Sequence, residues 1–337
     1  MKVKLIANKV CFLYDRVMLS FDALCIGSAK IDIFLSFLEE NPYIHLNKDA
    51  HELNIAYGQK IPVDMCSLQV GGNACNVSVG LAKLKIKTAI MAEIGKDEFS
   101  QKIINGLKSE NVNTDSLLQN SNNPSSFSVI LSFQKERTIF GQHLKREHNF
   151  SFENLSAKLI YLTSLGPEWK NTYQKALEFV KKTNTLLAFN PGTPQLKDGY
   201  EGIRGILETT NILFVNKDEA QEIVESYDGT KIDNIKELLK KLQTLGPKIV
   251  VITDGENGSF AINEKGEFFT QDIVKTTIVE KTGAGDAYAS GFLAAMLSNL
   301  PIQTAMKWGT LNASATMAIL GAQNGLLSRK EMEEKSL

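Results

Sequence analysis

Short apolar segments that alternate with helix-like stretches constrain the fold of this chain more than any other feature. Each segment has five or six residues, which is the length of a strand buried on both faces. Repeated strand–helix units predict an α/β protein whose mostly parallel, doubly wound sheet carries helices on both faces. The segments are 23–27, 88–92, 159–163, 185–190, 211–216 and 248–253.

A glycine-rich stretch, Glu280–Asp286, precedes an apolar run of small residues that we interpret as a buried helix. The backbone N–H groups of Gly283, Ala284 and Gly285 would then lie at the helix N-terminus, where the helix dipole favours an anion. A carboxylate at Asp286 would repel this anion, unless its role is to take a proton beside it. The pattern favours phosphoryl transfer to a hydroxyl, with Asp286 as general base and the three preceding residues as the cradle for developing charge. The alternative is an Asp N-cap on an ordinary helix.

Polar residues also follow the earlier apolar segments. Asp32 comes just after the first one, where open α/β sheets bind ligands, so its carboxylate could accept bonds from two sugar hydroxyls; the alternative is a solvated loop residue. Gly72 lets the backbone approach a ligand closely. Asn73 and Asn76 are one helical turn apart and both offer a donor and an acceptor to hydroxyls, although Asn73 would also serve as a helix cap.

Asn216 and Glu219 are three residues apart at a predicted strand-to-helix turn, so their side chains lie on one side. An amide and a carboxylate suit Mg²⁺, which keeps most of its water ligands and would be bound through them. The alternative is a capping box, with Asn216 as N-cap and Glu219 as its partner. Beside Asp286 we favour the metal and phosphate role.

Two motifs resemble the signatures of the PfkB (ribokinase-like) carbohydrate kinase family. Thr282–Asp286 is similar to the C-terminal signature, and Gly71–Asn76 is similar to the N-terminal Gly-Gly signature; the resemblance extends over residues 21–327. It implies a ribokinase-like three-layer α/β/α sandwich with a small β-strand lid. It also implies Mg²⁺- and ATP-dependent phosphorylation of a small sugar, with Asp32, Gly72, Asn73 and Asn76 holding the substrate.

The same resemblance implies a nucleotide site. Thr253, Gly255 and Gly258 match the nucleotide loop of the family, although a simple hairpin turn would use the same glycines. Glu280 and Lys281 differ from the Asp-Thr pair of potassium-dependent members, so we do not predict activation by a monovalent cation. The implied ATP-binding residues are Asn216, Thr253, Gly255, Gly258, Thr282, Gly283 and Asn312, the last of these at the adenine.

Segments 37–69 and 125–150 interrupt the strand–helix order, and their alternating residues predict half-exposed strands. The resemblance assigns both segments to the lid, inserted in a kinase domain that spans residues 18–330. Residues 1–17 would be an N-terminal extension, with the natural start at Met18. All four histidines fall in or beside the lid segments, and their irregular spacing favours surface residues over a metal site.

The formal net charge is −1, and the four cysteines form no C-x-x-C pair, so we predict a cytoplasmic protein with reduced thiols and no nucleic-acid or membrane partner. The predicted partner is a small sugar. A nucleoside kinase is the nearest alternative, with Tyr57, Phe127 or Phe140 lining a slot for the base. A non-catalytic binding protein on the kinase fold is the alternative from another class. A flat exposed lid edge would favour a homodimer.

Overall fold

The structure, a computed structural model, describes residues 18–120, 122–134, 136–142 and 144–337. The predicted extension at residues 1–17 and His143 lie outside the described residues. The strands are β1 (Leu19–Ile26), β2 (Lys30–Ser36), β3 (Ile44–Asn47), β4 (Glu52–Ile55), β5 (Met65–Gly71), β6 (Thr88–Met91), β7 (Glu93–Ile94), β8 (Leu118–Gln119), β9 (Phe127–Phe133), β10 (Glu136–Gly141), β11 (Leu155–Thr163), β12 (Leu186–Asn190), β13 (Ile212–Asn216), β14 (Ile249–Thr253), β15 (Ser259–Ile262) and β16 (Phe268–Gln271). The helices are α1 (Asn73–Lys83), α2 (Glu98–Ser109), α3 (Lys170–Thr183), α4 (Thr193–Lys197), α5 (Gly199–Leu207), α6 (Lys217–Asp228), α7 (Ile235–Thr244), α8 (Ala284–Leu297), α9 (Ile302–Met317) and α10 (Arg329–Ser336).

The main sheet has the strand order β16-β15-β14-β13-β12-β11-β1-β6. Pairing is parallel from β14 to β6, and only the edge strands β15 and β16 are antiparallel. All six apolar segments of the sequence lie in this sheet. The prediction of a mostly parallel α/β sheet is therefore confirmed.

Side chains of β1 show how the sheet separates two helical layers. Ala23 and Cys25 belong to one apolar core, which they share with α1, α8 and α9. Leu24 and Ile26 belong to a second core, which they share with α3, α5, α6 and α7. Because successive side chains of a strand point to opposite faces, both faces of the sheet are covered, which gives the predicted three-layer sandwich.

Close packing of α8 against α9 fixes the position of the α8 N-terminus. A Cβ atom at Gly291 would lie 2.6 Å from the carbonyl oxygen of Trp308, and one at Gly309 would lie 3.0 Å from the ring of Tyr288. Helix α8 is buried on every side over most of its length. Its first turn is consequently held in place by the core rather than by solvent-exposed contacts.

A separate four-stranded sheet, here called the lid sheet, has the order β10-β9-β2-β5. Strand β2 pairs antiparallel with β5 and parallel with β9, so the sheet joins distant parts of the chain. Asp32 was expected in a loop after β1, but it lies within β2, opposite Gln69 and Ser128. The lid sheet thus begins before residue 37 and its last strand ends at Gly141, while a separate hairpin pairs β3 with β4.

Among the residues that the structure describes, no helix combines the length and the apolar character that a bilayer-spanning segment needs.

Candidate functional site

The N-terminus of α8 presents open backbone, as the sequence predicts. Gly283 is the N-cap and has φ 80°, a left-handed conformation, and no side chain caps the helix. A Cβ atom at Gly283 would lie 2.5 Å from the Cβ of Ala322, whereas one at Gly285 would meet no atom within 4 Å. The first N–H groups of a helix have no partner inside the helix, so this turn can receive an anion.

Asp286 occupies the third position of α8, where it is 6% exposed. Its Oδ2 accepts a hydrogen bond from Nδ2 of Asn76 at 2.8 Å, and Gln323 Nε2 in turn donates to Oδ1 of Asn76 at 2.9 Å. Burial raises the pKa of Asp286 to about 7, although the bond from Asn76 opposes this shift. The alternative role of Asp286 as an N-cap is wrong, because Gly283 holds that position.

Loss of the Asn76 amide is expected to move the pH dependence of this site. In an Asn76→Ala variant the carboxylate of Asp286 loses a charge-assisted bond, so its pKa should rise further. We expect the acid limb of the pH–rate profile to shift upward by about one pH unit, since such a bond is worth roughly 1.5–3 kcal/mol. An unchanged limb would show that Asn76 does not tune Asp286.

Two adjoining cavities of about 310 Å³ each meet at Asn73, Asn190 and Glu219. We call them the loop cavity, which is bordered by the α8 N-terminus, and the polar cavity. Residues that line the loop cavity also include Asn216, Thr253, Gly283, Ala284, Gly285 and Asp286. Residues that line the polar cavity also include Ser28, Lys30, Glu93, Gln142, Arg146 and His148.

Of the four predicted substrate-binding residues, Asn73 lines both cavities. Asp32, Gly72 and Asn76 are buried beside them. Burial raises the pKa of Asp32, while Lys30 Nζ at 3.9 Å and Ser128 act in the opposite direction. A Cβ atom at Gly71 would collide with the Asp32 carboxylate, so only glycine leaves room for that side chain.

Asn216 and Glu219 form the capping box that was the alternative to a metal role. Asn216 Oδ1 accepts from the Glu219 N–H at 2.8 Å, and Glu219 Oε2 accepts from the Asn216 N–H at 2.9 Å. The box engages one carboxylate oxygen, and Glu219 still lines both cavities. Burial raises the pKa of Glu219. The helix cap therefore aims the carboxylate at the cavities, and the two roles are compatible.

A third space, here called the apolar cavity, measures about 170 Å³ and borders the loop cavity. Thr253, Gly255 and Gly258, the residues of the predicted nucleotide loop, line it. The hairpin alternative is also present, because β14 and β15 pair antiparallel around the 3₁₀ turn Gly255–Asn257. The other lining residues are Ser259, Ile273, Val274, Ala284, Gly285, Tyr288, Thr310, Ala313, Ser314 and Met317.

The structure contradicts the prediction that Asn312 reaches an adenine. Its side chain is fully buried; Nδ2 donates to the Ala287 carbonyl and to Ser290 Oγ, and Oδ1 accepts from the Leu327 N–H. Asn312 ties α8 to α9 and to the segment that follows. Thr310, Ala313 and Met317 line the apolar cavity instead. Their spacing of three and four residues on α9 was the missed sequence signal.

Thr282 and Glu280 connect the lid sheet to the α8 N-terminus. Glu280 Oε1 accepts from the N–H and Oγ1 of Thr282 at 3.0 and 2.8 Å, and from Arg137 Nη1 of β10 at 3.0 Å. Ser132 Oγ of β9 donates to Oε2 at 3.2 Å. Burial opposes the charge on Glu280, but these bonds outweigh it and hold its pKa below the ordinary value. Glu280 thus ties Thr282, at the start of the glycine-rich turn, to strands β9 and β10 of the lid sheet.

The histidines do not build a metal centre in the part of the chain that the structure describes. No three His, Cys, Asp or Glu side chains there are grouped in a way that could hold a metal ion. His45 and His51 lie in or beside the β3–β4 hairpin, whereas His148 is buried at the polar cavity.

Residues 29–329 match the family described as pfkB family carbohydrate kinase. The 5-dehydro-2-deoxygluconokinase of Geobacillus kaustophilus is 24% identical over 286 residues, which cover 79% of this chain and 84% of that protein. Ribokinase of Arabidopsis thaliana, solved with ribose and ATP, superposes with a TM-score of 0.77 at 19% identity and covers 94% of this chain and 99% of its own. A nucleoside kinase of Methanocaldococcus jannaschii superposes with a TM-score of 0.73 at 20% identity. The superposition covers 94% of this chain and 98% of the nucleoside kinase.

Proposed function

Since this chain belongs to the pfkB family of carbohydrate kinases, and is therefore a phosphotransferase that acts on a sugar hydroxyl, we propose that Asp286 deprotonates that hydroxyl while ATP supplies the phosphoryl group. One observation carries this assignment. The Asp286 carboxylate is buried in the first turn of α8, next to open N–H groups and on the wall of the loop cavity. A base and an anion cradle thereby share one site.

The polar cavity would hold the sugar and the loop cavity the transferred phosphoryl group. Asn73 lines both cavities and can bond sugar hydroxyls. Asp32, Gly72 and Asn76, which are buried, are proposed to hold the substrate with it. The N–H groups of Gly283, Ala284 and Gly285 would stabilise the charge that develops on the phosphoryl oxygens. Closure of the lid sheet would exclude water and suppress hydrolysis of ATP.

The apolar cavity is the proposed site of the adenine. Ile273, Val274 and Met317 offer apolar contacts to a base. Thr253 lines both this space and the loop cavity, so phosphates that extend from one to the other would pass it. Gly255 and Gly258 border the apolar cavity and leave its mouth free of side chains.

Mg²⁺ fits the donor set of Asn216 and Glu219. Their capping box engages the single side-chain oxygen of Asn216 and one of the two carboxylate oxygens of Glu219, and Glu219 lines both cavities. A hard cation accepts carboxylate and amide oxygens and retains water ligands, so binding through water is expected. When bound, Mg²⁺ would neutralise phosphate charge.

A sugar is favoured over a nucleoside by the walls of the polar cavity. Among the residues that the structure describes, the imidazole of His148 is the only aromatic ring that lines it. The three aromatic residues proposed for a base slot lie elsewhere: Tyr57 is 97% exposed, Phe140 is also exposed, and Phe127 packs edge-to-face on Phe99 at 6.3 Å. The relatives named 5-dehydro-2-deoxygluconokinase make gluconate-derived keto acids candidate substrates.

The test is ADP release with Mg²⁺ and ATP across ribose, fructose, other pentoses and hexoses, gluconate-derived acids, adenosine, inosine and cytidine. We expect a sugar-derived compound to stimulate release, and nucleosides to leave the basal rate unchanged. Stimulation by nucleosides alone would contradict the assignment and return attention to the lid aromatics. ATP binding without stimulation by any compound would favour a binding protein.

The kinase domain is proposed to span residues 18–330, with the lid segments 37–69 and 125–150 inserted in it.

Exposed apolar side chains on the lid sheet, among them Leu68, Ile139 and Phe140, support the further proposal of a homodimer formed through the lid. Sedimentation of the purified protein would decide its oligomeric state.

A further inference from the structure

Unpartnered polar atoms concentrate around the polar cavity. In the described residues, seven buried side-chain nitrogen or oxygen atoms lack a hydrogen-bond partner. Four of them belong to Gln142, Arg146 and His148, and all three residues line this cavity. Buried polar groups are nearly always paired, so such a group at a cavity wall calls for a partner that enters the cavity.

Arg146 is the strongest of these groups. It is 4% exposed, and burial lowers its pKa although Glu93 opposes the shift. Its Nη2 donates to the carbonyl oxygen of Pro124, which orients the guanidinium. Its Nη1 has no hydrogen-bond acceptor. A buried guanidinium with a free donor is costly unless an acceptor completes it.

Glu93 forms an ion pair with Arg146 but no hydrogen bond to its Nη1. Its Oε1 lies 3.7 Å from Arg146 Nη1, beyond hydrogen-bond distance, and already accepts from Asn120 Nδ2 at 2.8 Å. Its Oε2 accepts from the backbone N–H of His148 at 2.9 Å. Glu93 therefore balances the charge of Arg146 while leaving the Nη1 donor available.

Two neighbours extend the same wall. Neither buried ring nitrogen of His148 makes a hydrogen bond, although Nδ1 lies 3.4 Å from Oε2 of Glu93. Burial lowers the pKa of the ring, so the neutral imidazole carries one N–H donor. Lys30 also lines the cavity, with Nζ bonded to Ser128 Oγ at 2.8 Å. The remaining acidic side chain that lines the cavity, Glu219, also borders the loop cavity, where the proposed Mg²⁺ would lie.

We propose that Arg146, assisted by His148 and Lys30, forms a subsite for a carboxylate of the substrate, so that this enzyme phosphorylates a sugar acid rather than a neutral sugar. The inference rests on the proposed kinase function and adds the chemical class of its substrate. A planar carboxylate matches the fork of donors on a guanidinium, and it would satisfy the Nη1 atom that the protein leaves unpaired. The acceptor atom of Gln142 remains for a hydroxyl.

Calorimetric binding to the full chain without nucleotide tests this subsite, with pairs that differ only at the carboxylate. The pairs are D-gluconate with D-glucitol and 5-keto-D-gluconate with L-sorbose. We expect at least one acid to bind 10-fold or more tightly than its neutral partner.

Arg146→Gln should abolish this preference and Arg146→Lys should restore part of it. Lys145→Gln, the same charge change on an exposed neighbour, should leave it intact. If Arg146→Gln does not fold, Lys30→Met provides the same comparison at a less buried position.

Each outcome decides the proposal. Equal affinities within both pairs, or a preference that survives Arg146→Gln and Lys30→Met, would overturn it. Arg146-dependent binding of D-glucose 6-phosphate that exceeds that of both acids would overturn the carboxylate assignment in favour of a phosphate ester. Arg146-dependent acid binding without ADP release would leave the subsite standing and remove the kinase function. ADP release with neutral sugars alone would support the kinase function and overturn the carboxylate subsite.

Discussion

Replacement of Asp286 by asparagine is expected to lower the turnover rate by about 10²–10⁴-fold and to leave the affinity for ATP nearly unchanged. The amide cannot accept the hydroxyl proton, whereas the backbone cradle at Gly283–Gly285 remains. Single-turnover rates and nucleotide binding, measured on the same preparation, separate these effects. Near-normal turnover would refute the role of Asp286 as the base.

The pH dependence supplies an independent readout of the same residue. Only the ionised carboxylate can act as a base, and burial raises the pKa of Asp286 to about 7. The rate should therefore fall as the pH decreases through about 7, well above the range of an ordinary aspartate. In Asp286→Asn this acid limb should disappear from the residual rate.

Asp286 should also weaken the fold at the pH where it works. Its pKa is raised above the ordinary 3.8, so the folded chain retains a proton that the unfolded chain has lost. The contribution of this group to the free energy of unfolding consequently decreases as the pH rises from about 4 through about 7. We expect Asp286→Asn to melt at a higher temperature than the wild type at pH 8 and to lose most of this advantage at pH 4. An equal melting temperature at pH 8 would contradict the buried charge.

Gly283→Ala is expected to reduce activity by at least about 10²-fold and to cost about 1–3 kcal/mol of stability. The residue has φ 80°, and its added Cβ atom would lie 2.5 Å from the Cβ of Ala322. The loop would have to move away from the segment that supports it, and the first N–H groups of α8 would move with it. Thermal unfolding and turnover measure the two losses.

Gly285→Ala provides the matched comparison within the same turn. An added Cβ atom there meets no protein atom within 4 Å, so the folded state should tolerate it. The methyl group would nevertheless border both the loop cavity and the apolar cavity, where phosphates are proposed to bind. We expect lower turnover with unchanged or slightly higher stability. Full activity would place the phosphates elsewhere.

The parallel sheet and the glycine-rich turn were predictable because each is encoded locally. Runs such as Leu159–Thr163 are almost continuously apolar, so a strand formed from them has apolar side chains on both faces. This pattern is typical of a sheet that is covered by helices on both sides. Gly283 and Gly285 mark backbone that must remain open, whatever surrounds it. The contact between Asp286 and Asn76, which lies 210 residues earlier, was not predicted, because it depends on the packing of α8 against α1.

Other features could not be predicted, because they depend on which face of a helix a residue lies on, or on contacts with residues far away in the sequence. Asn312 and Ala313 are adjacent in sequence, yet only Ala313 lines the apolar cavity, because neighbouring residues on a helix face different directions. Arg146 and His148 follow no motif, and their role emerges only from the missing partners around them. Lys30–Ser36 is a seven-residue strand that the sequence analysis did not predict, and its pairing with both β5 and β9 could not be deduced from the segment alone.

The parallel pairing of β2 with β9 means that the lid sheet cannot be completed until a later part of the chain has been synthesised. During synthesis β2 and β5 leave the ribosome well before β9, so the inner edge of β2 must wait without a partner. Strands with open edges readily pair with other chains. The β2 edge of the growing chain is therefore open to pairing with other chains until residues 127–133 emerge. Translation speed across the intervening helices would consequently influence the yield of folded protein.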